Sequence, residues 1–271
     1  MSAPGGSMRE QPGHDGAALV RVTISGTTAE VALDNGPLNL MTKPMLRALN
    51  DAFGRLAANA DLRCMILHGG SARVFCAGSD IKELPVLGKD ASEQKILIED
   101  HMLRRLARLP MPTIAAIDAT VLGGGLELAL ACDLRVVKRG ISIGLPENNL
   151  GGLAGSGSVR ITRLIGPSRA KELLFLGEPI AAETALAWGL VNRVVDGSAL
   201  DAARAMAAKI GARAPLSNRL AKELVDASQD LPLDAGLTLS TLSQQKVFDS
   251  ADMQEGVAAF FGKRAPTFTG R

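Results

Sequence analysis

Two glutamates and a glycine run are the residues of this sequence whose types and spacing suit chemistry. In Ile117-Asp118-Ala119-Thr120-Val121-Leu122-Gly123-Gly124-Gly125-Leu126-Glu127 the glycines stand between an apolar run and the start of a helical stretch. Backbone without side chains can approach a ligand closely. The free N–H groups of a first helical turn, aided by the helix dipole, suit an anion or a carbonyl oxygen gaining negative charge. The same residues also suit a tight turn that only packs helix on sheet. Glu127 follows the triple glycine, and Glu147 follows Pro146, 20 residues further on. A helix, a strand and a return strand fit in that interval, so both carboxylates can face one cleft. Taken singly, each reads as a surface carboxylate. Sharing a pocket, they can divide acid and base duties, because burial and mutual repulsion keep one of them a proton carrier near neutral pH.

Other chemistries fit less well. Neither glycine run makes a P-loop, since no Gly-Lys-Ser/Thr follows and Glu127 repels phosphate from the helix start. The second run, Gly151-Gly152-Leu153-Ala154-Gly155-Ser156-Gly157, lacks the strand, helix and acidic partner of a dinucleotide fingerprint and reads as a loop lining a pocket. No Gly-x-Ser-x-Gly elbow follows a strand, and the three histidines, His14, His68 and His101, give no catalytic triad. Cys64, Cys76 and Cys132 are odd in number and lack metal spacing. They read as reduced, buried packing residues, and no metal site is expected.

The elements that must position these groups are legible from periodicity. Val20, Val22 and Ile24 alternate with polar residues, as do Val31 and Leu33 after Gly26, which predicts a hairpin. After Thr42 and Pro44, the residues Leu46, Leu49, Phe53 and Leu56 recur at helical spacing, and a buried strand follows at 64–67. A helix over 103–109 stops at Pro110 and Pro112, and 113–117 reads as a fully buried strand. A short helix over 127–132, strands over 134–137 and 141–145, and a helix over 170–175 stopped by Gly177 come next. A further helix through Trp188 leads into an apolar run, 190–195. Beyond Asp196 only helical stripes remain: Leu200, Ala203 and Ile210, then Leu216, Leu220 and Leu224. These stripes are expected to bury against other helices, of the same chain or of a neighbouring subunit. The segment from Leu84 to Ile98, with Leu84, Val86, Leu87, Ile96 and Ile98, reads either as an apolar lid over a pocket or as core packing.

The chain has 271 residues, 46% of them hydrophobic, enough for a sizeable core. Lys plus Arg number 30 against 28 Asp plus Glu, so no broad cationic surface is implied. Nucleic acid and anionic membrane are therefore not expected partners. No apolar stretch approaches the roughly 20 residues of a membrane span. Residues 1–16, rich in Gly, Pro and charge, read as a disordered tail rather than a signal or transit helix, and a cytoplasmic location is expected.

At this point several ordered motifs acquire a common meaning. Phe75-Cys76-Ala77-Gly78-Ser79-Asp80-Ile81-Lys82-Glu83-Leu84 resembles the first signature of the enoyl-CoA hydratase/isomerase (crotonase) family. Leu122 to Asp133 is similar to the second. Pro110 to Ile117, Leu145-Pro146-Glu147, Arg163 to Gly166, and Glu255 to Arg264 extend the resemblance over nearly the whole chain after residue 16.

The resemblance implies an α/β fold, a crotonase-like spiral of β-β-α repeats over 17–197. A C-terminal helical oligomerisation region over 198–271 would build homotrimers or homohexamers. It also implies an acyl-CoA substrate, with no cofactor beyond the coenzyme A that the substrate carries. The oxyanion hole would be the backbone N–H groups of Ser79 and Gly124, and Glu127 and Glu147 would be the acid/base pair. Cys76, Ala77, Gly78, Asp80, Ile81 and Gly123 would line the substrate site. Phe260 and Lys263 would help hold the nucleotide end of coenzyme A, in the same subunit or a neighbour's. The expected reaction is hydration of a 2-enoyl thioester. Isomerisation and decarboxylation, which pass through the same enolate, and a non-catalytic CoA-binding scaffold are the alternatives.

The sequence departs from the family pattern in four places. Ala119 stands where Gly is usual. The 151–160 loop is one residue short, with Ala154 in place of Pro. Asn148 and Asn149 follow Glu147 where apolar residues are expected, either to bond an acyl group or the carboxylate, or to serve structure. The basic residue before Leu38-Asn39 is missing. No tyrosine exists for family members that use one in catalysis.

Overall fold

The computed structural model describes residues 18–271 together with the backbone of Arg9–Glu10; the rest of the expected disordered tail lies outside the described residues. Arg9–Glu10 forms β1, paired antiparallel with β2 (Val20–Ser25), and β2 turns at Gly26 (φ 56°) into β3 (Thr28–Leu33), the hairpin that alternation predicts. Helix α1 (Lys43–Ala57) begins where Thr42 Oγ1 accepts the Met45 amide hydrogen. It buries Leu46, Leu49, Phe53 and Leu56, the stripe read from sequence.

β4 (Cys64–His68) leads to the short α2 (Leu84–Leu87), a 3-10 turn, a π-helical stretch at Ser92–Ile96 and α3 (Leu97–Ala107). β5 (Thr113–Ile117) and β6 (Val121–Leu122) precede α4 (Gly124–Leu130). β7 (Leu134–Lys138) and β8 (Ser142–Gly144) precede α5 (Gly155–Leu176), which kinks at Gly166 before Pro167. β9 (Ile180–Ala181), α6 (Ala182–Trp188) and β10 (Arg193–Val195) close the α/β part, and α7 (Ala199–Gly211), α8 (Pro215–Ser228), α9 (Leu233–Phe248) and α10 (Ala251–Phe261) follow.

The larger sheet runs β1-β2-β3-β4-β5-β7-β10, parallel from β3 onward, and the smaller one runs β6-β8-β9. Parallel bridges Met41–Ser79 and Cys76–Val121 extend the second layer backwards along the chain. Each turn of the chain therefore gives one strand to the first layer, one extended segment to the second, and then a helix. This is the spiral of β-β-α repeats.

The parallel strands are apolar throughout because both faces are covered. Met65 and Leu67 of β4 face the main core beside Phe53 and Leu103, whereas Cys64 and Ile66 face Ala199, Ala203 and Ala207 of α7. The first C-terminal stripe thus buries against the chain's own sheet. α9 and α10 instead leave Leu237, Leu242, Phe260 and Phe261 exposed. In the 84–98 segment Leu87 is buried and Ile98 packs on the core, while Leu84, Val86 and Ile96 face outward.

Candidate functional site

The first signature is held as an extended segment beside the second layer, through the bridges at Cys76 and Ser79. Asn39, fully buried in the left-handed region (φ 46°), donates through Nδ2 to the carbonyls of Gly69 and Phe75, each at 2.9 Å, and accepts the Asn35 amide hydrogen on Oδ1. On one side the Ala77 amide donates to Leu38 O and Gly78 O accepts from the Met41 amide. On the other, Cys76 O accepts from the Leu122 amide. The second signature is docked in turn, with the Gly123 amide donating to Gly144 O at 2.9 Å.

Two glycines let these segments meet. Gly78 has φ 93°, and a Cβ there would lie 3.1 Å from the Gly124 nitrogen. A Cβ on Gly125 would run into the Cys76 backbone. The loop carrying Ser79 and the start of α4 are therefore in backbone contact. Among the described residues neither the Ser79 nor the Gly124 amide donates a hydrogen bond. Two free donors at such a junction can stabilise an oxygen that gains negative charge.

Glu147 reaches this junction, and the charge of the Glu127 carboxylate acts on it. Glu147 opens a 3-10 turn after β8, and its Oε1 lies 3.1 Å from where a Cβ on Gly123 would stand. Its Oε2 is buried with no hydrogen-bond partner. Burial, with the charge of Glu127 adding, pushes its pKa up to about 7. Glu127, buried on α4, is also raised by burial, but the Gly157 amide and Arg160 pull the other way. The Gly157 amide donates to Glu127 Oε1 at 2.6 Å. The second glycine run is thus not wholly the loop expected: Gly155, Ser156 and Gly157 form the first turn of α5 and grip a carboxylate. A Cβ on Gly157 would crowd that carboxylate, standing 3.1 Å from Oε1.

The other residues singled out fall into place unequally. Cys76 is buried beneath the loop, its thiol accepting the Gly78 amide hydrogen at 3.4 Å. Burial pushes all three cysteines to about 12, consistent with inert packing thiols. Asp80 Oδ1 accepts the Lys82 amide hydrogen, and Ile81 is exposed beside it. Phe260 stacks edge-on with Phe261 and lines a groove with Val247, Met253 and Phe268 in the C-terminal helices, and Lys263 adopts a left-handed turn just beyond (φ 49°). Asn148 and Asn149 donate to Phe175 O and Gly177 O, closing the end of α5. They serve structure. His68 Nδ1 accepts the Gly70 amide hydrogen, and burial lowers its pKa. No described helix is long and apolar enough to cross a membrane.

One carboxylate at this junction was not anticipated. Glu99, on the first turn of α3, brings Oε1 to 3.1 Å from the Cβ position of Gly124, and its pKa is pushed up to about 7 by burial and by Glu127. Its sequence signal was available: Glu99 lies three and four residues before the buried Met102 and Leu103, so it occupies the apolar stripe of an amphipathic helix.

A spiral of β-β-α repeats thus brings a small-residue loop, a glycine-started helix and carboxylates of raised pKa into one region. The model of the enoyl-CoA hydratase/isomerase family matches residues 23–271, and the chain belongs to that family. It is 38% identical over 234 residues to a probable mitochondrial enoyl-CoA hydratase of Arabidopsis thaliana, covering 86% of this chain and 78% of that one. It is 41% identical over 216 residues to an enoyl-CoA isomerase/hydratase of Mycosarcoma maydis, covering 77% of each. The crystal structure of an enoyl-CoA hydratase from Bacillus anthracis superposes with a TM-score of 0.89 at 33% identity, covering 93% of this chain and 100% of that one.

Proposed function

We propose that the protein is an enoyl-CoA hydratase, adding water across the double bond of a 2-enoyl-CoA thioester to give a 3-hydroxyacyl-CoA. The observation that carries this reading is a pair of carboxylates that act on one another, Glu127 and Glu147, with Glu147 standing at a junction of free backbone amides. The thioester oxygen sits between the amides of Ser79 and Gly124. Attack of water at C3 drives negative charge onto that oxygen, and each aimed donor lowers the barrier by about 2.7 to 4 kcal/mol. Glu127, fixed by Gly157, orients the water and takes its proton. Glu147, protonated up to about pH 7, delivers a proton to C2. Atoms balance: water supplies hydroxyl to C3, its proton passes to Glu127, and C2 receives the Glu147 proton, with solvent re-equilibrating the pair.

Cys76, Ala77, Gly78, Asp80, Ile81 and Gly123 line the acyl-CoA path, and Phe260 with Lys263 contacts the nucleotide end. The exposed apolar residues of α9 and α10 support a homotrimer or homohexamer, since contiguous apolar patches of this kind mark association surfaces. No metal, membrane or nucleic acid enters this account, and no cofactor beyond the coenzyme A of the substrate. The test is turnover of crotonyl-CoA followed by product analysis. Loss of the conjugated absorbance with formation of 3-hydroxybutyryl-CoA supports hydration. A 3-enoyl substrate converted only to its 2-enoyl isomer, needing Glu147 but not Glu127, supports isomerisation instead, and binding of thioesters without any turnover supports the scaffold.

A further inference from the structure

Glu99 has no task in hydration as just described, yet it borders the same seat. Glu147 Oε1 and Glu99 Oε1 each stand 3.1 Å from a Cβ position, the first over Gly123 and the second over Gly124. Successive glycines thus carry one carboxylate each. No hydrogen bond or ion pair holds Glu99 among the described residues. Lys95, the cation that acts on it, is buried and committed to Glu83, with Nζ 3.2 Å from Oε2. The helix that presents Glu99 begins straight after the π-helical stretch Ser92–Ile96. Wide turns of this kind re-aim the side chains that follow and recur at functional sites. A half-buried carboxylate with free lone pairs beside a ligand seat is an acceptor awaiting a donor.

We propose that Glu99 determines acyl specificity, accepting a hydrogen bond from a hydroxyl-bearing acyl chain next to the thioester and discriminating against acyl chains that end in a carboxylate. The inference rests on the reading of the glycine junction as the thioester seat. The charges of Glu127 and Glu147 act on Glu99, so the seat is acidic. A further negative charge there is repelled, whereas a hydroxyl gives Glu99 the partner it lacks. A hydrogen bond to a charged acceptor gives roughly a tenfold preference or more.

The test uses carba(dethia) analogues of one chain length, the butyryl, 4-hydroxybutyryl and succinyl compounds of coenzyme A in which a methylene replaces the thioester sulfur so that no acyl transfer can occur, titrated calorimetrically into the full chain at pH 8. The unmodified protein is expected to bind the hydroxyl compound about tenfold more tightly than the butyryl compound and the succinyl compound most weakly. Glu99→Leu should erase the hydroxyl preference. Glu99→Gln, the isosteric variant, should keep it in part and relieve the succinyl penalty. An unchanged order of affinities in both variants, with folding confirmed by melting temperature, overturns the proposal. Because these ligands do not react, the outcome is independent of turnover. If none of the three binds, the thioester seat itself is wrong; if they bind and crotonyl-CoA is not hydrated, only the hydratase reading fails.

Discussion

The Gly157 amide reaches Glu127 Oε1 across 2.6 Å, tying the first turn of α5 to a carboxylate on α4. This bond holds one oxygen of Glu127; in the proposed reaction the other orients the water. Gly157→Ala places a methyl 3.1 Å from both Glu127 Oε1 and Leu145 Cδ1. We expect kcat for crotonyl-CoA to fall by about one to two orders of magnitude, as misplaced catalytic groups do, with KM nearly unchanged. Steady-state kinetics checks this, and a rise in KM with kcat unchanged would indicate a lost binding contact instead.

Removing either carboxylate tests the division of labour. Glu127→Gln and Glu147→Gln should each lower kcat by about 10² to 10⁴, the usual contribution of a positioned acid or base. Proton exchange at C2 of a saturated acyl-CoA in deuterium oxide, followed by NMR, should depend on Glu147 and persist when only Glu127 is changed.

pH dependence follows from the raised carboxylates. Glu147 must carry a proton to deliver it, and its pKa is pushed up to about 7. Hydration should therefore weaken as pH rises through about 7, with apparent midpoints that belong to the coupled set of Glu99, Glu127 and Glu147. Stability moves in the same direction. The ordinary value for Glu147 is 4.5, so the folded state binds the proton more tightly than the unfolded one. Stability then falls between about 4.5 and 7. Glu147→Gln should raise the melting temperature at pH 8 and leave it nearly unchanged at pH 4.

The junction of the two signatures has no room for a side chain. A methyl on Gly125 meets the Cys76 backbone, and overpacking of this kind costs about 1 to 3 kcal/mol. Gly125→Ala should lower the melting temperature by several degrees and, by displacing the 76–79 strand from α4, abolish turnover. Calorimetry alongside an activity assay checks both effects.

Local patterning made most of the fold readable. The hairpin around Gly26, the α1 stripe from Leu46 to Leu56 and the buried strand 113–117 are written in periods of two, 3.6 and none. The start of α5 was not, because Gly155, Ser156 and Gly157 are poor helix formers whose conformation is stabilised by a long-range acceptor, Glu127. The start of α4 shifted as well: Gly124 and Gly125 join the helix, with Glu99 packed where a side chain of the first would stand and the Cys76 backbone where one of the second would. Glu147 was legible as a candidate because it follows a strand and a proline. Glu99 was passed over although it interrupts the buried stripe before Met102 and Leu103. Only the spiral, which lays α3 beside the Gly124 turn, reveals what that interruption faces. Asn148 and Asn149 needed the fold too, since their partners, Phe175 and Gly177, lie a full helix away.

The central claim is that a thioester oxygen sits between the Ser79 and Gly124 amides, and infrared difference spectroscopy of bound crotonyl-CoA carrying a 13C-labelled carbonyl tests it most directly. Two aimed donors polarise the bond, so the carbonyl stretch should move to lower frequency on binding and the conjugated absorbance should shift to the red. A bound carbonyl that absorbs where it does in water would contradict the account.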